Sequence, residues 1–387
     1  MRVQRTARAR TVSCPGLAYR CAVTVGEQEV AGRSVAGSAG RFASFLSLFP
    51  FGAVILPWFA SRAISIVVLL VAVDDPSRGS RFSQIGQLWD GAYYLDIARH
   101  GYGEVTPAIG FPKWPFFPGL PALIRLLGEL GRDDVFVFVV NQLMFLIALA
   151  GLYRLARRHA SVRGAALSVW ALALFPASFV FSMTYPSALF LAASVWAFTF
   201  VEDRVDVVAG VLAAGAAIVR PNGIVVAIAL VCAVRTWRRA LVVAGPALAV
   251  VAGWCWYCYD RTGDALVFIT TKERWEEITV VGLFDGGAKF TVLPHGLLAL
   301  AAIAVVVLQR RRLPGAWIAL TALSLLPSLV TGMVGLARYT NECFPPFVAA
   351  GQVLERWSAR AQYAALALST CGLVSFAFIV GRYTLVP

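Results

Sequence analysis

Val135 to Arg163 reads VFVFVVNQLMFLIALAGLYRLARRHASVR. Its first part, 135–153, carries no charged side chain, and its second part places Arg154, Arg157, Arg158 and Arg163 close together. An apolar run of about 20 residues is what a helix needs to cross a bilayer, and a basic cluster at its end marks the side that stays in the cytoplasm. The pattern recurs along the chain. Apolar runs lie near 45–73, 135–153, 164–182, 185–201, 205–219, 222–234, 240–258, 291–308, 315–333, 340–354 and 362–380, which predicts an all-α polytopic membrane protein of about eleven spans. Composition agrees: 59% of the 387 residues are hydrophobic and 14% charged, against about 25% charged in soluble domains. The same figures exclude a disordered chain, and seven scattered cysteines do not make a disulfide scaffold.

The net charge of +13 would suggest a nucleic-acid partner in a soluble protein, but here it divides by topology. With the N-terminus inside, the inner segments are the N-terminal tail, Arg154 to Arg163, Glu202 to Asp206, Arg235 to Arg239, Arg310 to Arg312 and Glu355 to Arg360. They hold 20 of the 34 Lys and Arg but 6 of the 21 acids, a balance of +14. The outer segments, counting Glu342 with its nearest loop, balance to −2, and Arg62 lies inside the first span. The positive-inside rule therefore predicts a plasma-membrane protein with a cytoplasmic N-terminus, membrane lipids as its surroundings and no nucleic-acid partner. The two long connections, 74–134 and 260–290, fall outside, so the chemistry is expected on the extracytoplasmic face. Two regions follow: residues 1–42, Arg-rich and without helical periodicity, read as a disordered tail, an over-called start or a basic arm on anionic lipid; residues 43–387 form the membrane domain.

The first outer loop contains Trp89-Asp90-Gly91-Ala92-Tyr93-Tyr94-Leu95-Asp96-Ile97-Ala98-Arg99-His100-Gly101-Tyr102. Helical spacing places Asp90, Tyr93 and Tyr94 on one face and turns Asp96 elsewhere, with His100 four residues beyond it. Next comes Lys113-Trp114-Pro115-Phe116-Phe117-Pro118-Gly119-Leu120-Pro121, whose three prolines forbid a spanning helix and whose aromatics suit a membrane interface. A carboxylate-bearing amphipathic helix followed by a rigid aromatic turn is expected at the outer surface.

These residues resemble the PIG-V family, the second mannosyltransferase of glycosylphosphatidylinositol assembly, and its bacterial relatives. The family pattern W-D-x-x-x-(F/Y)-L-x-I-A-x-x-G-Y is matched by Trp89-Asp90, Tyr94-Leu95, Ile97-Ala98 and Gly101-Tyr102, and its F-F-P-x-x-P by Phe116 to Pro121. Further similarity lies in Phe175-Pro176 with Tyr185-Pro186-Ser187, in Arg220-Pro221-Asn222-Gly223, and in Arg338-Tyr339 before Phe344-Pro345, so that roughly 55–350 are covered in order. The resemblance implies the GT-C class of membrane glycosyltransferases, a polyprenyl-phosphate mannose donor and inversion at the anomeric carbon. It carries Asp90 over as the catalytic carboxylate. Animal members have a histidine and an apolar residue where this chain has Tyr93 and Asp96, which makes Asp96 a second candidate. Trp89, Tyr94, His100, Tyr102, Phe117, Arg220, Asn222, Arg338 and Tyr339 are the expected substrate contacts.

The chemistry fits these residue types. Glycosyl transfer from a phosphate needs a carboxylate to accept the proton of the attacking hydroxyl, and cations to hold the departing phosphate. Arg220 and Arg338, at outer ends of spans, suit that second task. No cofactor is implied; a divalent metal stays open, as does an acceptor that is lipid, glycan or protein. Rival readings are a GT-C transferase of another sugar and, in a different class, a transporter or lipid flippase. A transporter would place ionisable groups near the midplane and break helices in both halves, whereas Arg62 is the only ionisable residue deep within a long span. Arg62 either pairs with a buried acid or carbonyl or meets the carrier phosphate. His159 reads as a solvated inner-loop residue, and His295 as an interface anchor or a substrate contact. The second outer loop (Asp264, Lys272, Glu273, Arg274, Trp275, Glu276, Glu277, Asp285) either covers the site or forms a solvated helix. Cys255 and Cys258 read as core thiols, since no second pair completes a zinc site. No phosphate-binding glycine loop is present, so nucleotide coupling has no support.

Overall fold

The computed structural model describes residues 50–103, 112–128, 133–271, 289–331 and 335–382, and these are helical without a strand. Residues 1–42 and 272–288 of the sequence reading lie outside them. The first long helix, α1, is Phe51–Ala72. Three short helices follow in the first long connection: α2 (Arg81–Gly86), α3 (Asp90–His100) and α4 (Gly119–Gly128). Apart from a single turn at Val267–Thr270, the remaining described α-helices are α5 (Asp133–Ala156), α6 (Val162–Ala173), α7 (Ser187–Glu202), α8 (Asp206–Val219), α9 (Gly223–Ala233), α10 (Trp237–Thr262), α11 (Lys289–Gln309), α12 (Gly315–Thr331), α13 (Leu336–Glu342), α14 (Pro345–Leu354) and α15 (Ala359–Gly381).

Helix ends follow local chemistry. Ser80, Ser161 and Ser358 cap α2, α6 and α15 by accepting from the backbone N–H three residues on. Gly263, at φ +76°, ends α10 in the left-handed conformation that glycine adopts without cost. Among the described residues, four helices are long and apolar enough to cross a membrane: Phe51–Ala72, Val135–Ala156, Trp237–Thr262 and Ala359–Gly381. They keep large apolar side chains on the outside, among them Val67, Val71, Leu368 and Phe378, and such a belt is stable in lipid rather than water. The chain is a multi-pass membrane protein.

Two of the about eleven expected runs are interrupted. The run 164–182 is not one helix: α6 ends at Ala173, and a separate 3₁₀ segment, Ser178–Ser182, follows Phe175-Pro176. The run 340–354 divides likewise between α13 and α14 at Cys343-Phe344, ahead of Pro345-Pro346. Proline has no N–H to donate and clashes with the preceding turn, so it breaks helices that hydropathy alone joins. The break at Arg220-Pro221-Asn222-Gly223 between α8 and α9 falls where the sequence places it.

Irregular backbone at membrane depth must be satisfied by protein groups. For the 178–185 segment α5 meets backbone carbonyls and α1 holds side-chain hydroxyls. The Arg62 guanidinium donates to Ser182 Oγ (2.9 Å) and Ser178 Oγ (2.5 Å), and lies over the Phe145 ring at 4.5 Å. Asn141 Nδ2 donates to the Met183 carbonyl and Gln142 Nε2 to the Phe181 carbonyl. Arg62 thus holds hydroxyls and an aromatic face rather than the acid or carbonyl that one of its two sequence readings expects.

Two polar ends result. At one, the predicted inner segments meet: Arg154 and Arg158 pair with Asp203, Arg158 also with Glu202, and Arg239 with Asp206. His159, expected to be solvated, is half-buried here, bonded to Glu202 and edge-on to Trp317. The α8 helix runs from Asp206, at this end, to its C-cap Arg220 at the other.

Candidate active site

The opposite end is built around the start of α3. Asp90 is the first residue of that helix, where the unpaired N–H groups and the helix dipole favour a carboxylate. The turn into it is tight. Trp89 adopts φ +50° and ψ −123°, a conformation costly for a bulky side chain. Its indole N–H donates to the Val380 carbonyl at 3.2 Å, which pins the turn to α15. Gly91 packs so closely on the Gly86 carbonyl that a Cβ there would overlap it. The backbone N–H of Asp90 donates to the Tyr185 hydroxyl at 3.0 Å. Tyr185 is the last residue of the 178–185 segment that Arg62, Asn141 and Gln142 hold in place.

Asp90 Oδ2 accepts from Arg338 Nη1 at 2.6 Å, across 248 residues of sequence. Arg338 lies on α13, its guanidinium 5.0 Å from the Tyr185 ring centre and 5.4 Å from that of Tyr339. Tyr339 also faces Arg220, at 5.1 Å, and Arg220 Nη1 is paired with Glu342 Oε1. Two acids and two arginines therefore form a neutral cluster. Three of its members are almost sealed; the Asp90 side chain, 20% exposed, is the most accessible. Tyr94 is buried beside the cluster, against Phe116 and Tyr185. Burial above all pushes its hydroxyl well above the ordinary tyrosine range, so it serves as a neutral hydrogen-bonding group. Tyr93, stacked on Phe116, is pushed up to about 12 by burial and then by the Asp90 charge.

Asp96 takes the other side of α3. It pairs with Lys113, itself almost fully buried, and accepts from His100 Nδ1 at 2.9 Å. Burial raises the Asp96 carboxyl, but bonds from Lys113 and His100 outweigh it and hold the group below the usual carboxylate range. His100 is 60% exposed. Lys113 also donates to the Gly101 carbonyl, so this trio fastens the end of α3 to the aromatic turn.

That turn lies over a cavity of about 400 Å³, lined by Tyr102, Phe117, Pro118, Ile218, Val250, Gly253, Trp254 and Tyr257. The Tyr102 hydroxyl donates to the Phe116 carbonyl at 2.6 Å, and its ring stacks on Trp114. Gly119 packs directly on the Ile218 carbonyl, which brings the turn and its cavity to the end of α8, two residues before Arg220.

The structure thus brings Asp90, Tyr94, Arg220, Arg338 and Tyr339 together. Tyr102 and Phe117 line the neighbouring cavity, and Asn222 stands half-buried at the N-cap of α9, beside Arg220. Trp89 is turned to Val380, and Asp96 with His100 forms a separate group. Sequence reasoning missed two members. Glu342, counted with an outer loop, is 3% exposed and paired with Arg220. Its legible signal was the i, i+4 spacing from Arg338, which puts both on one helix face. Tyr185 carried no local signal for its contact with Asp90. His295 is buried, receives the Ala337 N–H at 3.4 Å and lies edge-on to Phe376, which is packing at the foot of α13. Cys255 and Cys258 are free thiols, with Cys258 buried. Among the described residues, no three His, Cys, Asp or Glu side chains converge on one point.

Residues 113–256 match the family model described as dolichyl-phosphate-mannose-protein mannosyltransferase. Among solved structures the chain is similar to ArnT from Cupriavidus metallidurans bound to undecaprenyl phosphate: TM-score 0.52 and 19% identity, over 84% of this chain and 65% of that one. It is also similar to the Archaeoglobus fulgidus oligosaccharyltransferase tethered with an acceptor peptide: TM-score 0.48, 13% identity, 86% of this chain and 55% of that one. By sequence, no curated protein matches the chain. The chain spans 55% to 65% of the length of these solved structures. Its helical fold is similar to that of the GT-C membrane glycosyltransferases, and its central segment matches the dolichyl-phosphate-mannose-protein mannosyltransferase model.

Proposed function

We propose that the protein is a PIG-V-like mannosyltransferase, which moves mannose from a polyprenyl-phosphate mannose to an acceptor hydroxyl at the extracytoplasmic face of the plasma membrane, with inversion. The observation that carries this reading is the accessible Asp90 carboxylate, held at 2.6 Å from a buried arginine beside a second arginine. In the reaction, the acceptor oxygen bonds to the anomeric carbon as the bond from that carbon to the phosphate oxygen breaks. The acceptor proton passes to Asp90, and the electron pair leaves with the polyprenyl phosphate. Arg338 and Arg220 hold the charge that develops on that phosphate, in surroundings where a guanidinium counts for more than it does in water. Tyr94 donates from the same side, and Asn222 adds an amide next to Arg220. The aromatic cavity under Tyr102 and Phe117 suits the first isoprene units of the carrier, which must enter beside the phosphate.

The ArnT structure was solved with undecaprenyl phosphate bound, which supports a lipid-phosphate donor; the family model over 113–256 supports mannose. The test uses membranes that contain the native protein, the Asp90→Asn variant or neither, supplied with polyprenyl-phosphate mannose labelled in the sugar. A labelled product in the native sample alone is expected, and its extraction behaviour identifies the acceptor as lipid, glycan or protein. Identical products in all three would refute the reading. Transfer from another polyprenyl-phosphate sugar, with none from the mannose donor, would keep the enzyme class and replace the sugar.

A further inference from the structure

The mechanism above leaves Glu342 without a part, although it is among the most deeply buried acids described. Its side chain is 3% exposed and meets Arg220 through one oxygen only; the other, Oε2, has no hydrogen-bond partner among the described residues. Burying a carboxylate is expensive, and one held by a single guanidinium contact with half its acceptor capacity unused is not an economical structural link. The arrangement fits a task in which Arg220 must be held in position yet released. Arg338, Asn341 and Glu342 stand at i, i+3 and i+4 of α13, so they share the face that meets Asp90 and Arg220. The Asn341 amide on that face is 1% exposed, and neither its oxygen nor its nitrogen has a partner among the described residues.

We propose that Glu342 is a positioning residue that orients Arg220 toward the carrier phosphate and, by neutralising it, competes with that phosphate for the guanidinium. The inference rests on the reading that Arg220 binds the donor phosphate. The sign follows from the charge count. Asp90 and Glu342 balance Arg220 and Arg338, so the cluster is neutral before an anion arrives. An incoming phosphate makes it negative, and the repulsion from Glu342 limits how tightly the spent carrier is kept. With Glu342 neutral, the phosphate meets a net positive site and binds more tightly, while Arg220 loses the partner that aims it.

The test uses the full chain reconstituted in lipid nanodiscs, with farnesyl phosphate as the binding probe and release of labelled mannose from polyprenyl-phosphate mannose as the rate. For Glu342→Gln, farnesyl phosphate is expected to bind at least about tenfold more tightly, a change of about 1.4 kcal/mol, with donor KM lowered and kcat reduced. In Arg220→Gln the probe binds weakly. In the double variant the gain disappears, because the tighter binding acts through Arg220. Glu342→Asp keeps the charge but shortens the arm. Its probe affinity stays native or lower, so it tests the same point if the glutamine variant does not fold. Affinity that is unchanged or lower in folded Glu342→Gln, a gain that persists without Arg220, or a gain in Glu342→Asp would overturn the inference. Native probe affinity in Arg220→Gln would instead remove the donor-site reading beneath it.

Discussion

The two carboxylates of α3 can be separated by what each loses on neutralisation. Asp90→Asn keeps an oxygen that can accept from Arg338 and removes one charge from a pair whose side chains are 9% and 20% exposed. A hydrogen bond to a charged group contributes about 1.5–3 kcal/mol, and the amide retains part of it. The variant should therefore fold, with a modest loss of thermal stability. Its chemistry should suffer far more, since a positioned general base contributes about 10²–10⁴-fold to a rate. Asp96→Asn has the reverse profile. It strands Lys113, 1% exposed, without its carboxylate. Removing one partner of a buried ion pair typically costs about 3–5 kcal/mol, so folded yield should fall while transfer per folded molecule stays near native. The assay compares detergent-resistant folded protein, by size-exclusion fluorescence during heating, with transfer of labelled mannose normalised to that folded fraction. An Asp90→Asn variant that keeps more than about a tenth of the native rate would refute the base assignment, as would an Asp96→Asn variant that folds normally and transfers nothing.

Three further outcomes follow from the same geometry. Tyr185→Phe deletes the acceptor of the Asp90 N–H; a loss of about 1 kcal/mol in stability and a rate lowered several-fold at unchanged donor KM are expected, measured by thermal unfolding and by initial rates at saturating donor. Gly91→Ala places a methyl group against the Gly86 carbonyl and should abolish transfer by displacing Asp90, whereas Gly103→Ala, with open space around it, should be silent in the same rate assay. The Asp96 carboxyl is held below its usual value of 3.8, and a depressed group stabilises the fold above its unfolded value and loses that contribution as pH falls. The melting temperatures of the native and Asp96→Asn proteins should therefore differ at pH 6 and converge as pH drops below 3.8.

Much of the fold was legible because a bilayer imposes a length and a charge rule that single residues report directly. The segments 154–163, 202–206 and 235–239, which the charge rule groups on one side, meet at one end through the Arg154, Arg158 and Arg239 pairs. The break after α8 was readable because Pro221 and Gly223 both mark it. The break at Phe175-Pro176 was not, since every neighbour is apolar and hydropathy runs on through it. What satisfies that break comes from Arg62, Asn141 and Gln142, distant in sequence, so no local pattern could announce it. The same holds for Asp90: its loop and helix were readable, while its partners Tyr185 and Arg338 come from segments 95 and 248 residues away. Glu342 was lost for a different reason. An acid at the edge of an apolar run looks like a loop acid unless it is paired with a cation elsewhere, and nothing in the sequence near Arg220 marks Glu342 as its partner.

The broken helices bear on the transporter reading, which predicted them. Breaks alone do not decide between transport and catalysis, because both need backbone or charge at depth. Their use does. Arg220 closes α8 at one end of the bundle, α13 brings Arg338 and Glu342 to that same end, and the 178–185 segment delivers Tyr185 to it. Toward the other end, the interior between helices is filled by Phe145, Phe198, Phe344 and Trp317, each at most 1% exposed. Arg62, the one charge read as deep in a long span, is spent on Ser178 and Ser182 and capped by Phe145. A solute moving across would have to displace this packing, and core aromatics of that size are costly to move. A lipid phosphate reaching the cluster needs to displace only the contacts among four side chains at one end. Polar groups gathered at one end, with a packed interior beneath them, are what a one-sided transfer reaction requires.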